Sequence, residues 1–194
     1  MQDTYEHIIE QILNQGYGVV DHFLAPELLR ELQSSFIQRQ QEQAFRKAGI
    51  SKGHTLVETI RGDEIFWLDD ATARQGERAY LDLVTDFSDY LNRTCYLGIR
   101  GHEFHYASYP VGTFYKRHLD QFKADSARKL SMICYLNSDW EPDHGGALRL
   151  YLPTGSLDIL PVGGRVAIFE SHTIEHEVLP ATRERRSVTG WLRG

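Results

Sequence analysis

The chain has 194 residues and a net charge of −6, with 41% hydrophobic and 25% charged residues, the make-up of one globular domain with a sizeable core. No apolar run reaches the length of a bilayer span, and the N-terminal MQDTYEHIIEQILNQG has acids and amides where a secretory leader is basic and then apolar, so the cytoplasm is the expected location, with no membrane contact. Lys and Arg are scattered among acids, which speaks against a nucleic-acid partner because phosphate neutralisation needs a basic surface.

Residues 4–14 place Ile8, Ile9, Ile12 and Leu13 at helical spacing, and Gly16-Tyr17-Gly18 ends that segment before a short extended stretch. A second helix starts at Pro26, a favoured first-turn position, with Leu28, Leu29, Leu32 and Phe36 on one stripe. Phe45 to Asp70 carries Gly49, Gly53 and Gly62 with weak periodicity, and is long enough to be a functional loop. A third helix, from about Glu77, has Tyr80, Val84, Phe87 and Leu91 on its buried face. Cys95 and Cys134 are too few for a disulfide framework and are expected to be buried small apolar residues.

From Ile99 onward, runs of β-branched and aromatic residues alternate with turn signals at Tyr109-Pro110-Val111-Gly112, Gly145-Gly146, Pro153-Thr154-Gly155 and Gly163-Gly164. That rhythm predicts an antiparallel sandwich or barrel. The expectation is one domain over 1–194, with helical support over about 1–97 and a stranded core over about 98–194. No exposed apolar stripe compels association, so a monomer is expected.

Residues two apart on a strand share a face, so His118 and Asp120 are expected to point into one cavity. His176, from a distant strand, completes two imidazoles and one carboxylate, the facial set that holds non-haem Fe(II) with open coordination positions. A His-x-Asp tripeptide alone is usually a surface pair or a satisfied core histidine. The rival pairs His102/His105 and His172/His176 are not the HExxH that places two zinc ligands on one helix, so zinc is the weaker reading. Arg185, Ser187, Thr189 and Trp191 alternate along one strand. An arginine turned into a closed barrel is costly unless an anion such as a dicarboxylate pairs with it. Taken by itself, this segment fits a surface cluster of Arg183, Arg185 and Arg186 more readily.

His118-x-Asp120, His176-Glu177-Val178-Leu179-Pro180 and Arg185-x-Ser187, in that order, resemble the Fe(II)- and 2-oxoglutarate-dependent dioxygenases of the prolyl 4-hydroxylase type. Tyr109-Pro110, Tyr115, Arg117-His118, Tyr135-Leu136-Asn137, Asp139-Trp140, Gly145-Gly146-x-Leu148-Arg149 and Ile60-Arg61-Gly62-Asp63 with Trp67 are similar to motifs of the hypoxia-inducible factor prolyl hydroxylases and their bacterial relatives. The likeness runs from about residue 55 to 192. It implies an α+β, mainly β fold: a double-stranded β-helix (jelly-roll) core with supporting N-terminal helices.

The same resemblance implies that His118, Asp120 and His176 hold iron and that Arg185 pairs with the distal carboxylate of 2-oxoglutarate. Tyr135, Tyr109, Leu148 and Thr189 would line the co-substrate pocket, although Leu148 and Trp191 are equally readable as core residues, Tyr109 as a turn tyrosine and, but for Arg185, Tyr135 as a core tyrosine bonded to a backbone carbonyl. Residues 46–66 are expected to form a lid over a peptide substrate. Arg61, Asp63, Trp67, Arg128 and Trp191 are expected on the substrate side, with Asp63 docking on Arg128. The implied activity couples O2 and the decarboxylation of 2-oxoglutarate to succinate and CO2 with 4-hydroxylation of a prolyl residue in a protein. Ascorbate is expected as a reductant, elongation factor Tu as a target and oxygen sensing as a role. The rivals are hydroxylation of a small molecule or another protein side chain, and a non-catalytic ligand-binding barrel.

Overall fold

The computed structural model describes residues 1–49, 60–121 and 127–194. In chain order the elements are α1 (Gln2–Gln15), β1 (Tyr17–Val20), α2 (Pro26–Gln41), β2 (Arg46–Lys47), β3 (Glu64–Trp67), α3 (Gln75–Cys95), β4 (Gly101–Tyr109), β5 (Tyr115–His118) and β6 (Arg128–Tyr135). A 3-10 turn at Pro142–His144 precedes β7 (Leu148–Leu152), β8 (Gly155–Ile159), β9 (Val166–Glu170), β10 (Glu175–Val178) and β11 (Arg185–Arg193). α1 stops where Gly16 takes φ 80 and its N–H donates to the Ile12 carbonyl, the left-handed ending that glycine adopts without a Cβ clash.

The strands form two sheets, a seven-stranded one in the order β1-β9-β6-β11-β4-β3-β2 and a four-stranded one in the order β5-β10-β7-β8. The named strands pair antiparallel throughout. The division into a helical first half and a stranded second half is therefore redrawn: β1 pairs with β9, and β2 and β3 extend the sheet beyond β4. They cover edges that β9 and β4 would otherwise leave open.

The large sheet has two different faces. Phe104, Tyr106, Leu130, Met132, Cys134, Val166, Ile168, Val188 and Leu192 pack with the buried stripes of the three helices. The alternate positions Ala107, Tyr109, Ile133, Tyr135, Ala167 and Phe169 pack against Leu148, Leu150, Ile159 and Val178 of the small sheet. Gly190 sits where Phe104 crosses β11, and a Cβ there would lie 2.2 Å from the Glu103 carbonyl oxygen and 2.4 Å from the Phe104 ring. Cys134 is buried as expected, but Cys95 is half-buried, because it ends α3 next to Tyr96, which turns left-handed and is exposed. Among the described residues no helix is long and apolar enough to cross a membrane.

α2 and α3 are joined by a buried acid. Glu77 accepts from Ser35 Oγ at 2.6 Å, from the Arg39 guanidinium at 2.8 and 2.9 Å, and from the Arg74 backbone N–H at 2.8 Å. Burial pushes its pKa up, but these donors outweigh it and hold the carboxyl below its ordinary 4.5. A carboxylate with a lower pKa folded than unfolded stabilises the fold above that ordinary value and stops doing so as the pH falls through the folded one. Glu77→Gln should cost about 3 kcal/mol at neutral pH, since it leaves Arg39 without its counter-charge. Urea unfolding at descending pH should show the wild-type advantage shrinking as Glu77 protonates.

Candidate metal centre and co-substrate pocket

β10 lies between β5 and β7, with His176 directly opposite His118. His118 is the last residue of β5, and Asp120 follows in a bend rather than in the strand, so strand alternation is not what aims the acid. Its carboxylate is aimed by the other sheet: Ser131 Oγ on β6 donates to Asp120 Oδ2 at 2.7 Å and also meets Ser171 Oγ at 2.9 Å. The Asp120 carbonyl accepts from Arg128 at 3.1 Å. The two His Nε2 atoms each lie 3.5 Å from an Asp120 carboxylate oxygen, and the three donor atoms fall within 4.8 Å of one another.

Each imidazole is oriented from behind. His118 Nδ1 faces the Lys116 carbonyl at 2.6 Å and His176 Nδ1 faces the Ile174 carbonyl at 3.3 Å. With Nδ1 as the donor, Nε2 keeps its lone pair toward the shared centre. The Tyr115 ring stacks on His118 at 3.6 Å, and Phe169 lies 4.7 Å from His176. Burial, reinforced by His118 and opposed by Asp120, brings the His176 pKa down to about 4, leaving it neutral. Burial alone would raise the Asp120 carboxyl, but His176, His118 and Ser131 hold it well below the usual carboxylate range. Two imidazole nitrogens and an ionised carboxylate fit a ferrous ion with its opposite side left open.

The second polar group lies on the face of the large sheet that also carries Ser131. Arg185, opposite Tyr109 in the register, is 2% exposed. Its Nε donates to the Gly146 carbonyl at 3.0 Å, and among the described residues it forms no ion pair. Gly146 takes φ +68 beneath it, and a Cβ there would lie 2.9 Å from the Ala181 Cβ and 3.5 Å from Arg185 Cδ. Arg183 and Arg186 turn elsewhere, to the Asp139 carbonyl and to Glu184, so the three arginines do not form one surface cluster. The Tyr109 and Tyr135 rings each lie 5.1 Å from the Arg185 guanidinium carbon. Among the described residues the Tyr135 hydroxyl is buried without a hydrogen-bond partner in the fixed geometry, and burial, opposed by the neighbouring Arg185, pushes its pKa up to about 12. A buried cation beside an unpaired hydroxyl is costly unless an anion enters, and a carboxylate satisfies both. Leu148 is buried on β7 between Val178 and Ile159, and Thr189 Oγ1 meets Ser187 Oγ at 3.0 Å.

The expected Asp63–Arg128 pair is not formed. Asp63 is gripped by Arg61 through both carboxylate oxygens, at 2.7 and 2.6 Å, because a guanidinium two residues away meets the acid fork to fork. Arg128 pairs with Glu103 at 2.8 Å and lies 3.4 Å over the Trp191 ring. Trp67 is 44% exposed, edge-on to His105 at 4.7 Å and 6.4 Å from Trp191. Of the expected lid, residues 50–59 lie outside the described residues. The flanking chain is tied down: Ala48 N–H donates to the Asp63 carbonyl, Lys116 N–H to Ile60 and Gly62 N–H to Phe114, while the Arg61 guanidinium lies 4.3 Å over Tyr115.

Residues 104–193 match the 2OG-Fe(II) oxygenase superfamily. The crystal structure of a Pseudomonas putida prolyl-4-hydroxylase superposes with a TM-score of 0.89 at 37% identity, covering 97% of this chain and 98% of that one. The chain belongs to the 2OG-Fe(II) oxygenase superfamily. Its two sheets are the double-stranded β-helix of that family, whose members use Fe(II), 2-oxoglutarate and O2. A Trichoplax adhaerens prolyl hydroxylase, solved with a peptide fragment of the hypoxia-inducible factor oxygen degradation domain, superposes with a TM-score of 0.87 at 28% identity, over 99% of this chain and 90% of that one. The Caenorhabditis elegans hypoxia-inducible factor prolyl hydroxylase is 30% identical over 206 residues, and Egl nine homolog 1 of Homo sapiens is 30% identical over 199. The chain spans 28% and 46% of the lengths of these two relatives.

Sequence reasoning missed Ser131, the stacking of Tyr115 on His118, and the Gly146 carbonyl. For Ser131 the signal was available: it lies two residues before Ile133 and four before Tyr135, on the same face. Ser131→Ala should weaken Fe(II) binding by about tenfold, the usual scale for losing a group that orients a metal ligand. Anaerobic Fe(II) titration in the presence of 2-oxoglutarate measures it, and an unchanged affinity would show that the bend alone fixes the acid.

Proposed function

We propose that this oxygenase is an Fe(II)- and 2-oxoglutarate-dependent prolyl 4-hydroxylase acting on a prolyl residue in a protein. The observation that carries the reading is the His118, Asp120 and His176 donor set together with a buried guanidinium that has no acid partner among the described residues, on the sheet face whose Ser131 holds Asp120. In this reading His118, Asp120 and His176 hold the metal from one side. Arg185 pairs with the far carboxylate of 2-oxoglutarate and the Tyr135 hydroxyl donates to it, while Tyr109, Leu148 and Thr189 shape the pocket walls. Bound together, Fe(II), 2-oxoglutarate and O2 supply the oxidation of an unactivated C–H bond, with succinate and CO2 released. The chain's own contribution is to orient the co-substrate and to keep water away from it.

Arg61, Asp63, Trp67, Arg128 and Trp191 form the substrate side of the cavity. The Pseudomonas putida and Trichoplax adhaerens prolyl hydroxylases support a prolyl substrate, and the second, solved with a peptide, supports a protein-borne one. Elongation factor Tu is our first candidate target, on resemblance to bacterial members, and we take the chain to work as one domain, as a monomer, in the cytoplasm.

Incubation of a cell lysate with enzyme, Fe(II), 2-oxoglutarate and ascorbate should add the mass of one oxygen atom to a prolyl residue of a protein, read by peptide mass spectrometry. Oxygen added to a small molecule or a non-prolyl side chain instead would overturn the prolyl reading. His118→Ala should abolish succinate production. Arg185→Ala should raise the 2-oxoglutarate KM about a hundredfold, the scale of losing a buried charge-assisted pair.

A further inference from the structure

Beside the co-substrate pocket, the same face of the large sheet carries a second polar pair, in which Trp191 joins His105, a residue with no role so far. His105 on β4 lies across the register from Thr189 on one side and Trp67 on the other. Its ring is 5.6 Å from that of Trp191. Both residues are buried, and among the described residues His105 Nδ1 and Trp191 Nε1 have no hydrogen-bond partner. Charges close in on His105 from its neighbours: Arg61 and Asp63 from the chain before β3, Arg128 from β6 and Asp120 from the metal site. Trp191 in turn is opposite Ser131, which holds Asp120, and opposite Glu103, which holds Arg128. The pair therefore counts residues of both the candidate metal centre and the substrate-side arginine–acid pairs among its neighbours.

Resting on the prolyl-hydroxylase reading, we propose that His105 is a specificity-determining residue that, with the Trp191 indole N–H, reads the peptide unit following the reacting proline. The chemistry of the two atoms fits a peptide group. An indole N–H only donates, so it calls for a carbonyl oxygen, whereas a neutral imidazole nitrogen can accept from an N–H. Burial brings the His105 pKa down to about 3 and keeps the ring neutral. Proline has no N–H of its own, so the nearest one on its C-terminal side belongs to the next residue. One amide thus provides an acceptor for Trp191 and a donor for His105. A free amino acid, whose carboxylate has no N–H, satisfies only Trp191.

The test uses two small probes, N-acetyl-proline N′-methylamide and its N′,N′-dimethylamide, which differ at the N–H in question. Each is titrated into the enzyme loaded with 2-oxoglutarate and with Zn(II) in place of iron, so that no turnover occurs, and followed by the Trp191 indole N–H resonance. The monomethylamide should bind about tenfold more tightly, one neutral hydrogen bond's worth. His105→Leu should make the two probes bind alike, and His105→Asn, which keeps a hydrogen-bonding group, should restore part of the preference. Equal binding of both probes to the wild type, or a preference that survives in His105→Leu, overturns the role of His105 and leaves the prolyl reading standing. Failure of both probes to bind the wild type at high millimolar concentration overturns the inference and counts against the prolyl reading with it.

Discussion

The two-faced alternation of β6 and β11 is the constraint on which the rest of the molecule depends. Along β6, Leu130, Met132 and Cys134 face the helices while Ser131, Ile133 and Tyr135 face the cavity; along β11, Val188 and Leu192 face the helices while Arg185, Ser187, Thr189 and Trp191 face the cavity. A slip of one residue would put Arg185 and Tyr135 into the helical core and empty the cavity of its polar groups. The helix layer guards against that slip, because it takes up the large apolar side chains in one register only. Gly190 adds to the discrimination, since the close approach of Phe104 tolerates no side chain at that point.

The two sheets contribute different parts of the site. The small sheet brings His118 and His176 side by side on β5 and β10. The large sheet supplies Arg185 and Tyr135, and its Ser131 reaches the acid that completes the donor set. Asp120, in the bend after β5, therefore belongs by chain to one sheet and by hydrogen bond to the other. A metal held by the three side chains would tie the sheets together at that end, so its binding free energy would add to the stability of the sandwich.

Much of this arrangement was legible in the sequence, and the reason is periodicity. The three helices showed their stripes, and the spacing of Arg185, Ser187, Thr189 and Trp191 gave the cavity face of β11. What local pattern does not carry is the choice among long-range partners. Arg128 and Arg61 were both available to Asp63, and the outcome depends on how β3 lies against β4 and on Glu103 competing for Arg128. The recruitment of β1 onto β9 and the role of Ser131 are of the same kind, because each needs a register that forms only when distant segments meet. Asp120 shows the limit from the other side: the structure brings His118 and Asp120 together, but through the bend that follows β5 and not through the strand alternation the spacing suggests.

Among the described residues, the buried side-chain atoms without a hydrogen-bond partner are His105 Nδ1, Tyr135 Oη and Trp191 Nε1, and all three sit on the cavity face of the large sheet. Each such atom costs about 1–3 kcal/mol when left unsatisfied, and Arg185 adds a buried cation without an acid partner among the described residues. Against a typical net stability of about 5–15 kcal/mol, that is a large concentration of cost in one place, while the helix face of the same sheet is almost wholly apolar. Random imperfection would scatter such atoms through the core. Their convergence means the fold is stable enough elsewhere, in the helix–sheet core and in the Glu77 network, to keep these groups dry and aimed. A ligand entering there would meet polar groups and a cation that have already lost their water, so the cost of desolvating the protein side, met during folding, would not recur on binding.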